Sequence, residues 1–195
     1  MIEDTLEYLE KTLDVEGMCE FTRSFVDDLD SAMRIDVDLE SDSEWTGVIF
    51  LVMGGSGASG KFLKTISEED GGLPFVVWND YSLPRWWGPE WLVIATSYSG
   101  NTEETLSGIN EALELGGTVI GISSGGAMTE ILAMYQEAVH VPIPGGQMPR
   151  SAFGHILGAQ LAICWCLGIL IRPQEDELRE MIARLSECSK KLDFV

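Results

Sequence analysis

Two short stretches of this chain gather small and hydroxyl-bearing residues: Gly54-Gly55-Ser56-Gly57-Ala58-Ser59-Gly60 and Thr96-Ser97-Tyr98-Ser99-Gly100-Asn101-Thr102. Each follows a short apolar run and opens a segment with helical spacing. A junction of that kind suits an anion. The first N–H groups of a helix lack intrahelical partners, and the aligned peptide dipoles leave partial positive charge there. Glycine lets the backbone come close to a ligand. Hydroxyls on Ser97, Ser99 and Thr102 add donors to phosphate oxygens without adding charge. An N-cap accounts for one such hydroxyl, but not for four spread over two loops. A phosphate group is the expected ligand.

Other residues admit competing readings. Glu103 and Glu104 follow the second loop, and with Asn101 or Ser99 as cap they resemble a capping box. A catalytic carboxylate there would sit against the bound phosphate and repel it. Gly55 to Gly60 also fit Gly-x-Gly-x-x-Gly after a strand, and Asp80 lies where a dinucleotide-binding fold keeps its ribose acid. That alternative gives the Ser-Tyr-Ser loop no role and finds no second domain for a hydride acceptor. A Walker A loop is excluded, because Gly60-Lys61 runs into Phe62. Cys19, Cys164, Cys166 and Cys188 form no Cys-x-x-Cys pair, and His140 and His155 are not spaced to complete a zinc site. Buried, reduced thiols are expected, with no metal and no cofactor. His140 falls inside a strand pattern and reads as core. His155 reads as a helix-face histidine at an interface, with acid–base work the alternative.

The elements that position these loops follow from hydropathy. Five unbroken apolar runs occur, at 48–53, 75–78, 91–95, 118–122 and 138–142. Unbroken rather than alternating runs mean strands buried on both faces, as in a parallel sheet. Helical segments at 58–69, 101–115 and 126–136 alternate with them. The expected fold is α/β, a doubly wound five-stranded parallel sheet in the flavodoxin-like order 2-1-3-4-5. In that order the two hydroxyl-rich loops meet at the topological switch point, where such sheets bind ligands. The connection 79–90, rich in Pro and Trp, reads as irregular. Further helices are expected at 4–14, 20–35, 151–170 and 174–191. Residues 1–45 read as a helical arm that ends in an acidic connector, 46–172 as the ligand-binding domain, and 173–195 as a C-terminal helix packing on the domain or a partner.

The chain has 195 residues with a net charge of −20, 45% hydrophobic and 23% charged. Domains usually run about 100–200 residues, so one domain is expected. No basic stripe exists to displace phosphate counterions, which excludes nucleic acid as partner. The acidity concentrates before residue 45 and reads as a solvated face or as adaptation to a salty cytoplasm. The longest apolar stretch, 161–171, falls short of the roughly 20 residues of a membrane span. The first residues carry no signal-peptide pattern, so the expected compartment is the cytoplasm and no membrane partner is expected.

Taken together, Gly54-Gly55-Ser56-Gly57, Ser97-Tyr98-Ser99-Gly100-Asn101-Thr102-Glu103-Glu104-Thr105 and Met148-Pro149-Arg150-Ser151-Ala152 resemble the sugar isomerase (SIS) domain. The likeness is greatest to the N-terminal half of archaeal-type bifunctional phosphoglucose/phosphomannose isomerases. It implies that Ser56, Ser97, Ser99 and Thr102 hold a sugar phosphate, with Gly55 close by. It further implies that Arg150 faces the reacting end of a hexose 6-phosphate and stabilises an enediolate; the competing reading of Arg150 is a surface arginine. In the resembled isomerases the catalytic glutamate and histidine come from a second SIS domain. Single-domain SIS isomerases place a glutamate early in the helix after the fifth strand, where this chain reads Phe153-Gly154-His155. The implied partners are a small phosphorylated sugar and either a second copy, as a homodimer or higher homo-oligomer, or another SIS chain. The alternative function is a non-catalytic phosphosugar sensor.

Overall fold

A computed structural model describes residues 12, 17–37, 44–70 and 72–192. The expected helix at 4–14 lies outside them but for Thr12, and residues 38–43 of the acidic connector are outside as well. Among the described residues there are five strands: β1 (Gly47–Val52), β2 (Phe75–Trp78), β3 (Trp91–Thr96), β4 (Val119–Ser123) and β5 (Ala138–Pro142). All pairings are parallel and the strand order is β2-β1-β3-β4-β5, as the apolar runs imply.

Alternate residues of each strand feed two separate cores. Val48, Phe50 and Val52 of β1 join Leu92, Ile94, Ile120 and Ile122 on one face. There they meet Leu63 of α3 (Gly57–Asp70), Leu29 of α2 (Phe25–Ala32), and Ile156 and Ile163 of α6 (Phe153–Cys166). Ile49, Leu51, Val93 and Val119 point to the other face. Here they pack on Ile109 of α4 (Glu103–Glu114), on Met128 and Leu132 of α5 (Ala127–Leu132), and on Leu83 and Trp87 of the irregular connector. Covering both faces lets the strands be apolar throughout. Helix α7 (Glu175–Leu192) lays Ile182 and Leu185 against the first core.

Three helices differ from the sequence expectation. The arm helix expected at 20–35 is divided at Ser24 into α1 (Met18–Arg23) and α2. The Ser24 hydroxyl bonds locally, 3.0 Å from the Phe21 carbonyl and 2.9 Å from Asp28 Oδ2, which competes with a regular helix. Helix α5 stops at Leu132, where Met134 and Tyr135 tighten to i−3 bonds of 3.1 and 3.2 Å. Helix α6 ends at Cys166 rather than near 170. Gly168 takes φ +65°, and Ile169 N–H and Gly168 N–H bond to the Cys164 and Trp165 carbonyls at 2.9 and 3.1 Å, a Schellman termination.

The cysteines form no disulfide. Only Cys164 is buried, and burial pushes its thiol up; Cys166 and Cys188 are exposed, which corrects the expectation for them. Cys166 is the last residue of α6, and Cys188 lines an open groove between α7 and the segment Thr22–Val26. Among the described residues no helix is long and apolar enough to cross a membrane.

Candidate functional site

The strand order brings the two hydroxyl-rich loops together. β1 and β3 are neighbours in register, with Val52 opposite Thr96 at their carboxyl ends. Adjacent strands lie roughly 4.8 Å apart, so the chain leaves the sheet twice, side by side. After β1 it makes one 3₁₀ turn, Gly54–Ser56, and enters α3. Gly54 takes φ +57°, open to glycine at no steric cost. Ser56 is buried and Gly55 exposed.

After β3 the loop folds on itself. Ser97 Oγ and Thr102 Oγ1 lie 2.8 Å apart, and Thr102 N–H reaches Ser97 Oγ at 3.3 Å. Asn101 N–H reaches Ser99 Oγ at 3.3 Å, and Gly100 N–H bonds to the Ser97 carbonyl at 2.9 Å. The two 3.3 Å contacts are at the weak end for N–H donors, so an anionic oxygen, a stronger acceptor, would displace them. Ser97 is buried, Thr102 half-buried and Ser99 exposed, so Ser99 presents the most accessible hydroxyl. Gly100 has φ +68°, and a Cβ there would run into the Gly125 carbonyl. The loop is therefore clamped against the loop after β4.

The capping-box expectation needs correction. Helix α4 has Thr102 at its N-cap with no side-chain cap, so the first-turn N–H groups stay open. Asn101 instead serves the neighbouring helix: its Oδ1 accepts from Ala127 N–H at 2.9 Å and its Nδ2 donates to the Ser99 carbonyl at 3.0 Å. Glu103 and Glu104 sit in the first turn of α4 and hold the Tyr81 phenol above its usual range, Glu104 first. Asp80 takes the Tyr81 amide at 2.8 Å, a local turn bond.

Arg150 stands in a turn closed by the Met148 carbonyl, which accepts from Ser151 N–H at 2.9 Å and Ala152 N–H at 3.2 Å. That turn lies over the first loop: a Cβ on Gly55 would be 3.9 Å from Arg150 Cα. Arg150 is exposed, and among the described residues it has no carboxylate partner. Its guanidinium is available to an anion.

The histidines go elsewhere. His155 is 6% exposed, and its Nε2 is 3.4 Å from Asp28 Oδ1 on α2. His140 is half-buried on β5, with Nε2 2.8 Å from Ser123 Oγ; burial pulls its pKa down, opposed by a hydrogen bond to the Ser123 backbone.

Four further residues near the site were given no role by the sequence: Tyr98, which lies inside the second motif, and Gln160, Gln147 and Asp28, which lie in none. Gln160, fully buried on α6, donates to Thr96 Oγ1 at 3.0 Å beneath the second loop. Gln147 and Tyr98 join the segment after β5 to the second loop, since Gln147 N–H donates to Tyr98 Oη at 2.8 Å. Asp28 holds the Gln147 side chain at 3.0 Å. The sequence signal for this set is the pair Gly154 and Gly158, four apart on α6. A Cβ at Gly154 would lie 2.6 Å from the Phe25 carbonyl, and one at Gly158 2.6 Å from Ala32 Cβ, so α2 approaches α6 closely.

The SIS domain family model matches residues 43–170. The bifunctional phosphoglucose/phosphomannose isomerase of Caldicellulosiruptor bescii is 36% identical over 144 residues, which is 74% of this chain and 42% of that protein. The enzyme of the same name from Thermoplasma acidophilum is 35% identical over 146 residues, 75% of this chain and 43% of that protein. The chain thus spans less than half the length of these curated relatives. Among solved structures, the tagatose-6-phosphate ketose/aldose isomerase of Escherichia coli has the same fold, with TM-score 0.61 and 17% identity over 88% of this chain and 52% of that one. By its family match and its relatives, this chain belongs to the SIS domain family.

Proposed function

We propose that this chain binds a hexose 6-phosphate, such as glucose, mannose or fructose 6-phosphate, and forms the phosphate- and oxyanion-binding half of an aldose–ketose isomerase site. The observation that carries the reading is one juxtaposition. The loops after β1 and β3 leave paired strands side by side, and the turn bearing Arg150, which has no carboxylate partner among the described residues, lies over Gly55. In this reading Gly55, Ser56, Ser97, Ser99 and Thr102 hold the phosphate at the openings of α3 and α4. Arg150 faces C1 and C2.

Isomerisation removes the C2 proton of the aldose to give a cis-enediolate and returns a proton to C1. Charge grows on the enediolate oxygens, and a fixed donor aimed there lowers the barrier. Arg150 suits this because it stays charged and forks onto adjacent oxygens. A base is also needed. Helix α6 has no acid in its first turn, and His155 is committed to Asp28. The proton-transfer groups therefore come from a second SIS domain, in the same protein or in another, associated SIS chain. Residues 1–45 then act as arm, 46–172 as the sugar-binding domain and 173–195 as an outer helix, in a cytoplasmic enzyme.

The missing acid also favours a second reading, a non-catalytic phosphosugar sensor. Thermal unfolding with fructose 6-phosphate tests binding. A ligand at 100 times its Kd stabilises by about 2.7 kcal/mol, and Ser99→Ala removes that gain. Stabilisation by NAD(P) alone would overturn the assignment. A coupled assay of fructose 6-phosphate formation separates enzyme from sensor.

A further inference from the structure

A half-buried polar cluster touches both halves of the site. Asp28 of α2 is its hub. Asp28 Oδ2 accepts from Ser24 Oγ at 2.9 Å and from Gln147 Nε2 at 3.0 Å, and Asp28 Oδ1 is 3.4 Å from His155 Nε2. Gln147 Nε2 is also 3.4 Å from His155 Nε2. Gln147 Oε1 is buried and finds no partner among the described residues, so this amide is oriented through its nitrogen, with Asp28 at the shorter distance and His155 at the longer. The same residue gives its N–H to the hydroxyl of Tyr98, which stands between Ser97 and Ser99 and is 8% exposed. Three residues further on is Arg150.

We propose that Gln147 is a positioning residue: clasped by Asp28 on one side and Tyr98 on the other, it fixes the Arg150 turn over the phosphate loop and so ties the seat of Arg150 to the arm helix α2. This rests on the sugar-phosphate reading above for what Arg150 does, but not for the clasp itself. The carboxylate fixes the amide, the amide fixes the turn, and Tyr98 Oη sets the distance between the turn and the loop. Helix α2 can serve as anchor because the glycines of α6 let it approach within contact of the α6 backbone. A clasp of this kind acts on the end of the ligand that Arg150 meets and leaves the phosphate end alone.

The test compares two ligands by titration calorimetry. Fructose 6-phosphate needs both ends of the site, and inorganic phosphate needs one. Tyr98→Phe removes only the acceptor for Gln147 N–H. It weakens fructose 6-phosphate about tenfold, worth 1.4 kcal/mol, and leaves phosphate within about twofold. Asp28→Leu does the same, and Asp28→Asn, which keeps an acceptor oxygen, restores most of the loss. Tyr98→Phe adds nothing in an Arg150→Ala background, since the two act on one contact. Equal weakening of both ligands, no weakening of either, or full additivity with Arg150→Ala would overturn the proposal. Hydrogen exchange of the unliganded protein is read in parallel. The clasp predicts faster exchange at Gln147 and through Ser151 in both Tyr98→Phe and Asp28→Leu. If the wild type binds neither ligand, the sugar reading fails and this measurement decides the clasp: unchanged exchange disproves it.

Discussion

At the scale of single residues, hydroxyls of one motif do two jobs. Ser97 is buried and its hydroxyl is hydrogen-bonded to that of Thr102, so it builds the loop; Ser99 is exposed and its hydroxyl meets only an amide at 3.3 Å. Ser97→Ala strands a half-buried Thr102 hydroxyl and costs about 1 kcal/mol of stability by chemical denaturation. Ser99→Ala leaves stability within about 0.5 kcal/mol and loses phosphate binding. The reverse ranking would mean the loop is organised otherwise. His140 gives a pH prediction. Its folded pKa lies below the usual value of about 6.5 because burial disfavours the charged form. The unfolded chain then binds more protons below that value, so stability falls as pH drops through it. Thermal unfolding at pH 7.5 and 5.5 shows a smaller acid loss for His140→Gln than for the wild type. The candidate residues were legible here because glycines and hydroxyls at a strand–helix junction carry their own chemistry. Asp28 and Gln147 were not, and neither was the pairing of Tyr98, although Tyr98 lies inside the second motif. Their pairing spans 119 residues for Asp28–Gln147 and 49 for Tyr98–Gln147, and no local spacing encodes such contacts.

At the scale of elements, strands were easier to read than helix ends. A strand buried on both faces is a continuous apolar run with abrupt limits, and β2 falls on the expected 75–78. Helix ends depend on caps that compete locally. Ser24 interrupts the arm because its hydroxyl finds Asp28, and Gly168 closes α6 because glycine adopts φ +65° freely. The contact that matters most to the site is α2 on α6, and it depends on small residues. Gly158 meets Ala32 Cβ and the Leu29 carbonyl at 2.6 and 2.8 Å from the position its Cβ would take. Backbone atoms cannot move aside as a flexible side chain can. Gly158→Val therefore forces the helices apart and destabilises by about 2 kcal/mol, read as a lower denaturation midpoint. By loosening the clasp, the same variant also frees the Gln147 amide to exchange. A variant as stable as wild type would show that α2 is docked less closely than described.

At the scale of the whole molecule, charge opposes the proposed ligand. The protein carries −20, with 32 acidic and 12 basic residues, and a sugar phosphate is itself an anion. Binding has to come from short-range donors at the openings of α3 and α4 and from Arg150, against a long-range repulsion. The two terms differ in reach, which makes them separable. The Debye length is roughly 30 Å at 0.01 M salt and about 8 Å at 0.15 M. At low salt the ligand feels acids across the molecule; at physiological salt it feels mainly the groups within a few ångströms. Fructose 6-phosphate should accordingly bind more tightly at 150 mM than at 10 mM NaCl. This is opposite in sign to a basic nucleic-acid binder, whose affinity falls steeply with salt. Calorimetry at the two concentrations reads the difference, with sodium as the only added cation. A Kd that rises steadily with salt would mean that the site is set in a positive local field, and that the acidic surface does not reach it.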